Sequence, residues 1–144
     1  MAGIQIDSSS LTLYIIRGVP GSGKSTYAKN LIAQNSSLKH YEADMAFYNK
    51  EGTYVFDPKL LKFAHNWCFN QVKEELLKGN SVIVSNTFTQ KWEIERYIKL
   101  GKECSANIII KKAVGNFNNI HGVPLDKVDS MKARWEDVEG EENI

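Results

Sequence analysis

A complete phosphate-binding pattern stands near the start of the chain, where residues 18–26 have the sequence GVPGSGKST. The spacing G-x-x-x-x-G-K-[ST] is typical of a loop whose backbone N–H groups surround phosphate oxygens, with the positive end of the next helix behind them. Lys24 is predicted to reach the β- and γ-phosphates. Ser25 is predicted to offer its hydroxyl to Mg²⁺, because Mg²⁺ takes only one or two ligands besides phosphate oxygens and water. The pattern predicts binding of a nucleoside triphosphate, taken as ATP with Mg²⁺, by Gly18, Val19, Pro20, Gly21, Ser22, Gly23, Lys24, Ser25 and Thr26.

Polar residues also follow two later apolar stretches. Asp44 comes directly after a short predicted strand at residues 39–43, and Asn86 and Thr87 come directly after another at 81–85. In an open α/β sheet, ligands lie off the carboxyl ends of the strands, so these residues are expected to surround one crevice with the phosphate loop. Asp44 has two functional roles open: it holds Mg²⁺ through water, or it accepts the proton of an attacking hydroxyl, as kinases require. The structural alternative is an aspartate that caps the following turn.

The elements around these residues alternate strand and helix, which predicts a parallel sheet covered by helices on both faces. The best-defined helix has Asp57 as N-cap and Pro58 at its first position, and it ends before Gly79. Its apolar stripe, spaced by four residues, consists of Leu60, Ala64, Cys68, Val72 and Leu76. We therefore predict an α/β fold: one three-layer P-loop NTPase domain with four to five short parallel strands in the order 2-3-1-4. The predicted strands span residues 11–17, 39–43, 81–85 and 106–113, and the predicted helices span 24–34, 58–78, 89–100 and 125–135.

Length and charge limit the domain organisation. The 144 residues, 42% of them hydrophobic, suffice for one compact domain with one core. We predict that this domain covers residues 11–135, after an extended or disordered N-terminus at 1–10 and before an acidic, disordered tail at 136–144. Residues 136–144 contain five of the 17 acidic side chains and none of the 18 basic ones, so residues 1–135 hold 18 basic against 12 acidic side chains, a net charge of +6. Such a body suits phosphate-rich partners, although ordinary solvated surface has the same composition.

Other reactive or aromatic side chains are assigned structural roles. Cys68 and Cys104 have no second cysteine or histidine at metal-ligand spacing, which favours free thiols in a reducing compartment.

No basic leader and no run of membrane-spanning length is recognisable, so the protein is expected in the cytoplasm, without a membrane partner. His65 in the second helix is interpreted as a packed or surface residue, and Tyr54 before that helix as a core residue. The polar loop at 115–124, with His121, is interpreted as a lid over ATP, with a plain connection as the alternative.

Four stretches of the sequence together resemble a known family. They are GVPGSGKST, YEADMAFYNKEGTYVFDPKLLKFAHNW, SVIVSNTFTQKWEIERYI and HGVPLDKVDSMKARWE. In this order they resemble phage 5′-polynucleotide kinases and their small P-loop relatives, over residues 11–136. The phosphate loop alone is typical of a whole superfamily. The aspartate after strand 2, the Ala-His-x-Trp of the second helix, the Asn-Thr after strand 3 and the late His-Gly-Val-Pro make the match specific.

The resemblance implies roles for the residues that match. Asp44 corresponds to the family's general base, which deprotonates the acceptor 5′-hydroxyl. Asn86 and Thr87 would belong to the nucleotide site and orient groups between Asp44 and the γ-phosphate. Arg134 resembles an arginine that many relatives keep in the last helix, facing the ATP phosphates or the adenine. The predicted catalytic residues are then Lys24, Asp44 and Arg134, and the predicted metal ligands are Ser25 and Asp44.

The chain departs from this family at several of its substrate-binding positions. Many relatives have Asn after the Asn-Thr pair, where this chain has Phe88, and others have Asp before it, where this chain has Ser85. Asn118 and Asn119 stand in place of the lid arginine, and Phe47 stands in place of an arginine that helps to hold the acceptor strand. The candidates for the missing positive charge are Arg134, Lys111 and Lys112.

Three functions are compatible with these patterns. The favoured one is a kinase that moves the γ-phosphoryl group of ATP to a hydroxyl of a polynucleotide, nucleoside or nucleotide, with Asp44 as base. The alternatives are an ATPase or GTPase in which water is the acceptor, and a nucleotide-binding accessory protein without an acceptor substrate. An acceptor-dependent rate of ATP consumption distinguishes the first function, and basal turnover separates the other two. The oligomeric state is left open.

Overall fold

One parallel sheet organises the computed structural model, which describes residues 11–115 and 123–144. The strands are β1 (Thr12–Arg17), β2 (Lys39–Tyr41), β3 (Val82–Asn86), β4 (Asn107–Lys112) and β5 (Glu142–Asn143). They lie in the order β2-β3-β1-β4-β5, and each neighbouring pair is parallel. The predicted α/β fold and strand order 2-3-1-4 are confirmed, and β5 extends the sheet beyond β4.

The described ranges contain four α-helices: α1 (Lys24–Gln34), α2 (Leu61–Leu77), α3 (Lys91–Glu103) and α4 (Leu125–Ala133). Two 3₁₀ helices, Ala43–Phe47 and Pro58–Leu60, precede α2. The Asp57 side chain accepts a hydrogen bond from the Lys59 N–H at 3.0 Å, as expected of a cap. The first turn after this cap is 3₁₀, so α2 itself begins at Leu61 rather than at Pro58.

Alternation along β1 assigns the two faces of the sheet. Leu13 and Ile15 belong to the larger core cluster, with side chains of α2 and α3, whereas Ile16 packs with Ala28 of α1. Successive side chains of a strand point to opposite faces, so a central strand between two helical layers is apolar at nearly every position. The domain therefore has three layers, with α1 on one face and α2 and α3 on the other.

The apolar stripe predicted for the second helix is buried except at its start. Ala64, Cys68, Val72 and Leu76 lie in the larger core, whereas Leu60 is 48% exposed. The prediction for Leu60 is wrong because this residue lies in the 3₁₀ helix. A 3₁₀ helix has three residues per turn, which rotates the side chain away from the α-helical stripe.

The acidic segment at 136–144 is packed on the domain, in contrast to the disordered tail that the sequence predicts. Its strand β5 pairs with β4, and the Ile144 N–H donates to the Lys112 carbonyl at 2.8 Å. Glu141 Oε1 lies 2.8 Å from Nη1 of Arg17, a fully buried residue at the end of β1. A buried guanidinium requires a counter-charge. The clustered acids of this segment provide one, which the local sequence pattern does not reveal.

Two predicted segments fall outside the described residues. They are the extended or disordered N-terminus at 1–10 and most of the predicted lid, including Asn118, Asn119 and His121. Within the ranges that are described, none of the helices combines the length and the apolar character that crossing a bilayer requires.

Candidate active site

The phosphate-binding loop connects β1 to α1, in the strand-loop-helix order that its pattern requires. Gly21 and Gly23 have left-handed backbones, with φ of 83° and 102°, which other residues adopt only with strain. Gly18 is required for a different reason. A Cβ at this position would lie 2.3 Å from Ser22 Oγ and 3.0 Å from the Ala113 carbonyl oxygen. These three glycines let the loop turn tightly into α1.

The N-terminus of α1 is suited to an anion. The cap residue is Gly23, which has no side chain to accept from the first N–H groups, and the first turn contains no acidic residue. The first N–H groups of a helix have no acceptor within the helix and carry the positive end of its dipole. Ser22 adds a buried hydroxyl that lacks a partner among the described residues. Donors arranged in this way fit phosphate oxygens.

The Lys24 side chain lies across the loop that precedes it. Its Nζ donates to the Val19 carbonyl at 3.2 Å. Burial lowers the pKa of Lys24, and the carboxylates of Glu42 and Asp44 oppose that shift. The end of β2 and the phosphate loop therefore share one electrostatic environment.

Strand register brings the predicted site residues to one edge of the sheet. Arg17, directly before the loop, is paired with Asn86, and Tyr41, shortly before Asp44, is paired with Val84. Because β3 lies between β1 and β2, Asn86 lies between the phosphate loop and the 3₁₀ helix Ala43–Phe47. The carboxyl ends of three strands thus meet where the sequence predicts a crevice.

Asn86 and Thr87 hold the backbone of this edge together. Asn86 Oδ1 accepts a hydrogen bond from the Ala43 N–H at 2.8 Å, and its amide nitrogen lies 3.8 Å from Cys68 Sγ. The Thr87 carbonyl accepts from the Gly18 N–H at 3.3 Å. Both polar ends of the buried Asn86 side chain are therefore engaged within the protein, and the residue positions the segment that carries Asp44.

Asp44 is the second residue of the 3₁₀ helix Ala43–Phe47, and its carboxylate contacts an aromatic hydroxyl. Oδ1 accepts a hydrogen bond from Tyr54 Oη at 3.1 Å. Burial, together with the Asp44 charge, raises the pKa of Tyr54, which keeps its hydroxyl protonated as a donor. The Tyr54 ring packs against Phe47 and Tyr48, with ring centroids 6.2 and 5.2 Å apart. Tyr54 is packed, as interpreted from the sequence, and it also orients the Asp44 carboxylate.

A carboxylate that sequence reasoning missed, Glu42, contacts the phosphate loop directly. Its Oε2 accepts hydrogen bonds from Ser25 Oγ and from Ser85 Oγ, each at 2.8 Å. Ser85 Oγ lies 2.6 Å from His40 Nε2, and burial lowers the pKa of His40. A neutral ring that donates from Nε2 to Ser85 satisfies all of these groups. No motif marks Glu42, although strand alternation places residues 40 and 42 on the same side.

These residues fit a hydrated Mg²⁺ rather than a metal held by protein alone. Among the residues that the structure describes, no group of three or more His, Cys, Asp or Glu side chains is placed to hold a metal ion. Mg²⁺ keeps water and phosphate ligands and needs only one or two protein oxygens. Ser25 donates its proton to Glu42, so the lone pairs of Ser25 Oγ remain for a cation.

A cavity of about 540 Å³ lies beside the phosphate loop. Residues 19–22 of the loop, residues 112–115 after β4, and side chains of α4 and Trp135 line it. Asp129 and Lys132 of α4 contribute polar groups to the lining, whereas Glu42 and Asp44 do not line it. Its volume is that of a small-molecule site. The phosphate loop therefore borders the cavity on one side and the carboxylates of Glu42 and Asp44 on a different side.

The candidates for a catalytic cation occupy different places. Arg134 follows α4, and its Nε donates to Thr89 Oγ1 at 3.2 Å, so it is tied to the segment before α3. Lys111 is ion-paired with a glutamate of β5. Lys112 is ion-paired with Asp137 at 3.4 Å and lines the cavity beside the loop. Lys132, which sequence reasoning missed, lines the same cavity.

Phe88 follows the Asn-Thr pair with a left-handed backbone, at a φ of 47°. Asparagine tolerates this conformation well, whereas a bulky residue adopts it only when packing compensates. Phe88 is 2% exposed and packs edge-on against Tyr97 at 5.5 Å between ring centroids. Its carbonyl also accepts from Arg17 Nε at 3.0 Å. Buried packing thus holds the turn that an asparagine would otherwise favour.

Comparison with family models decides the class of the domain. Residues 13–112, more than half of the chain, match the model of a family described as an AAA domain. The chain belongs to this family. The match runs from β1 to the last residue of β4, so the AAA domain contains the phosphate loop, Glu42, Asp44 and Asn86. At this level the chain is a nucleotide-binding domain of the P-loop kinase-like class.

One protein similar to this chain is much longer than the chain itself. NEDD4-binding protein 2 of Homo sapiens is 34% identical in an alignment of 136 residues, which covers 88% of this chain and 8% of that protein. The chain thus spans a small fraction of the length of this relative.

Solved structures share the fold at lower identity. Kti12 of Chaetomium thermophilum with ADP-AlF3 has a TM-score of 0.68 and 12% identity, over 92% of this chain and 88% of that chain. A sugar kinase from Janibacter sp. HTCC2649 has a TM-score of 0.61 and 20% identity, over 93% and 83%. The Pnkp1/Rnl/Hen1 complex has a TM-score of 0.59 and 21% identity, over 84% of this chain and 38% of that chain. At these identities the likeness concerns the fold alone.

Proposed function

We propose that this domain is an ATP-dependent kinase that transfers the γ-phosphoryl group of ATP to a hydroxyl of a nucleic acid, a nucleoside or a nucleotide. The observation that carries the proposal is the position of Asp44. Its charge acts on Lys24, the residue expected to hold the β- and γ-phosphates, and Asn86 ties the backbone beside it to β3. A carboxylate near the transferable phosphoryl group can receive the proton of an acceptor hydroxyl.

The nucleotide is expected to bind along the loop. Its phosphates would contact residues 18–26 and the N-terminus of α1, where unpaired donors are available. Its nucleoside would occupy the cavity of about 540 Å³ beside the loop. Lys112 and Lys132 line that cavity and bring positive charge to it, in the presence of Asp129 in the lining and of Asp137, whose Oδ1 lies 3.4 Å from Lys112 Nζ. Mg²⁺, when bound, would neutralise part of the charge on the β- and γ-phosphates.

The reaction requires one bond to form and one to break. The acceptor oxygen forms a bond to the γ-phosphorus as the bond from that phosphorus to the β,γ-bridging oxygen breaks, and ADP leaves. The acceptor proton passes to the Asp44 carboxylate. Tyr54 holds that carboxylate through its hydroxyl at 3.1 Å, and Lys24 neutralises charge on the transferred group.

Exposed aromatic side chains near Asp44 support a base-containing acceptor. Tyr48, Phe56 and Phe63 are 47%, 50% and 61% exposed, and Phe56 packs on Phe47 of the 3₁₀ helix that carries Asp44. Bases of single-stranded nucleic acids and of nucleosides stack on such rings. Tyr48 and Phe56 belong to one connected group of rings with Phe47 and Tyr54, and a contiguous exposed apolar patch of this kind favours an interaction site over plain surface.

The resemblance to phage 5′-polynucleotide kinases makes 5′-hydroxyl ends the first acceptors to test. One similar structure is described as an RNA repair complex, Pnkp1/Rnl/Hen1, and another as a sugar kinase, so the acceptor class needs a direct screen. Radiolabelled ATP would be supplied with 5′-hydroxyl RNA, 5′-hydroxyl DNA, nucleosides and nucleoside monophosphates, and label in each acceptor would be counted.

The wild type should label one acceptor class at a rate that depends on acceptor concentration. Asp44→Asn keeps the shape and removes the base, so transfer should fall by a factor of about 10² to 10⁴ while MgATP binding persists. Lys24→Ala should lose ATP affinity by orders of magnitude with an unchanged Tm of the apo protein. A wild type that labels no acceptor would refute the kinase function and favour an ATPase or an accessory protein.

A further inference from the structure

We infer that Glu42, rather than Asp44, is the carboxylate that holds the Mg²⁺ of the bound nucleotide, acting through metal-bound water and the Ser25 hydroxyl. The inference rests on the part of the proposed function in which a Mg²⁺-nucleotide binds the phosphate loop, and it is independent of the acceptor. It assigns the two carboxylates of this edge to different tasks, with Glu42 serving the metal and Asp44 the acceptor proton.

The contact between Glu42 and Ser25 carries the inference. Ser25 is the loop residue whose oxygen is expected to bind Mg²⁺, and its hydroxyl donates to Glu42 Oε2 at 2.8 Å. A hydroxyl that donates to a carboxylate has a more negative oxygen and a fixed direction for its lone pairs. The second oxygen of this carboxylate, Oε1, can accept a hydrogen bond from a metal-bound water, because an ionised carboxylate accepts hydrogen bonds at both of its oxygens.

The surroundings of Glu42 hold it in this position. Ser85 of β3 donates to the same Oε2 at 2.8 Å, and His40 Nε2 lies 2.6 Å from Ser85 Oγ and 3.7 Å from Glu42 Oε2. The side chains of His40 and Glu42 are only 11% and 18% exposed. Partners that orient a metal-binding group in this way usually matter for metal affinity.

Asp44 has a different environment. Its Oδ1 accepts from Tyr54, a residue of the segment with the exposed aromatic rings, and it follows Ala43, which Asn86 anchors. The hydrogen bond from Tyr54 links Asp44 to the segment with the exposed aromatic rings, whereas the hydrogen bonds of Glu42 link it to the phosphate loop and to β3.

Binding of a fluorescent ADP analogue, measured with Mg²⁺ and with EDTA, tests the inference without any phosphoryl transfer. Glu42→Gln keeps an oxygen that accepts from Ser25 and Ser85 but removes the charge. The Mg²⁺ affinity of its nucleotide complex should fall about 10- to 100-fold, without any weakening of metal-free nucleotide binding. Asp44→Asn, the matched control, should keep the wild-type Mg²⁺ dependence. Mn²⁺ in place of Mg²⁺ allows the free ion to be counted by electron paramagnetic resonance.

A second variant moves the carboxylate to the neighbouring strand. Because Ser85 Oγ lies 2.8 Å from Glu42 Oε2, the double change Glu42→Ser with Ser85→Asp should return a carboxylate to Ser25 and restore most of the Mg²⁺ affinity. Wild-type Mg²⁺ dependence in Glu42→Gln would overturn the inference, as would an equal loss in Asp44→Asn. A double variant that folds with wild-type Tm but does not regain Mg²⁺ affinity would also overturn it. A failed acceptor screen would refute only the kinase, since these measurements need no acceptor.

Discussion

Removal of the Glu141 carboxylate should destabilise the domain strongly, although Glu141 lies in a segment that looks like a disordered tail. Arg17 is fully buried at the end of β1, and Glu141 Oε1 lies 2.8 Å from its Nη1. Glu141→Ala would leave a buried guanidinium without its counter-charge, a change that typically costs 3–5 kcal/mol.

The lower end of that range applies here. Arg17 would retain two hydrogen bonds from Nε and Nη2 to the Phe88 carbonyl, and its guanidinium would remain 4.0 Å from the centre of the Trp135 ring. We therefore expect a loss of about 3 kcal/mol in the free energy of unfolding. For a domain of this size the corresponding fall in Tm is roughly 6–12 °C.

Urea unfolding followed by circular dichroism measures this loss. Glu139→Ala, an exposed carboxylate of the same segment, is the matched control and should leave the urea midpoint unchanged. The double variant Arg17→Met with Glu141→Leu removes both charges and should be more stable than Glu141→Ala. If Glu141→Ala unfolds at the wild-type urea concentration, the acidic segment is not the counter-charge of Arg17, and the prediction of a disordered tail stands.

Three further predictions concern catalysis, thiol reactivity and pH. Arg134→Ala should lower kcat with a modest change in ATP affinity if Arg134 acts in the transition state. Wild-type kinetics in this variant would show that Arg134 has only a structural role, through its 3.2 Å hydrogen bond to Thr89. Burial raises the pKa of Cys68 to about 11, while Cys104 is partly exposed, so a thiol reagent at pH 8 should label one cysteine quickly; a fast phase that survives Cys104→Ser would contradict this. Hydrogen bonds, chiefly from the Tyr41 hydroxyl, lower the pKa of Glu75. Its stabilising effect is therefore present above its unfolded pKa of about 4.3 and lost as pH falls through the lower folded value. Glu75→Gln should be less stable than the wild type at pH 7, with a difference that shrinks in acid; a difference independent of pH would refute the assignment.

The sequence by itself determined the features that depend on local rules. The G-x-x-x-x-G-K-[ST] spacing predicts a loop between strand and helix, because its glycines permit left-handed turns and close approach that other residues resist. Alternating apolar stretches predict a parallel sheet between helical layers, since central strands must be apolar on both faces. The comparisons and the structure bear out this class of fold and the strand order.

Only the tertiary structure decided which distant groups satisfy one another. Glu42 carries no motif, yet the pairing of β2 with β3 brings it within 2.8 Å of both Ser85 and, across the strand ends, Ser25. Arg17 looks like an ordinary end of a strand, yet its burial requires a carboxylate from a segment 124 residues later. Burial of a charge or hydroxyl makes a partner necessary without specifying where in the chain that partner lies. Partner choice depends on strand order and register, which no local pattern contains.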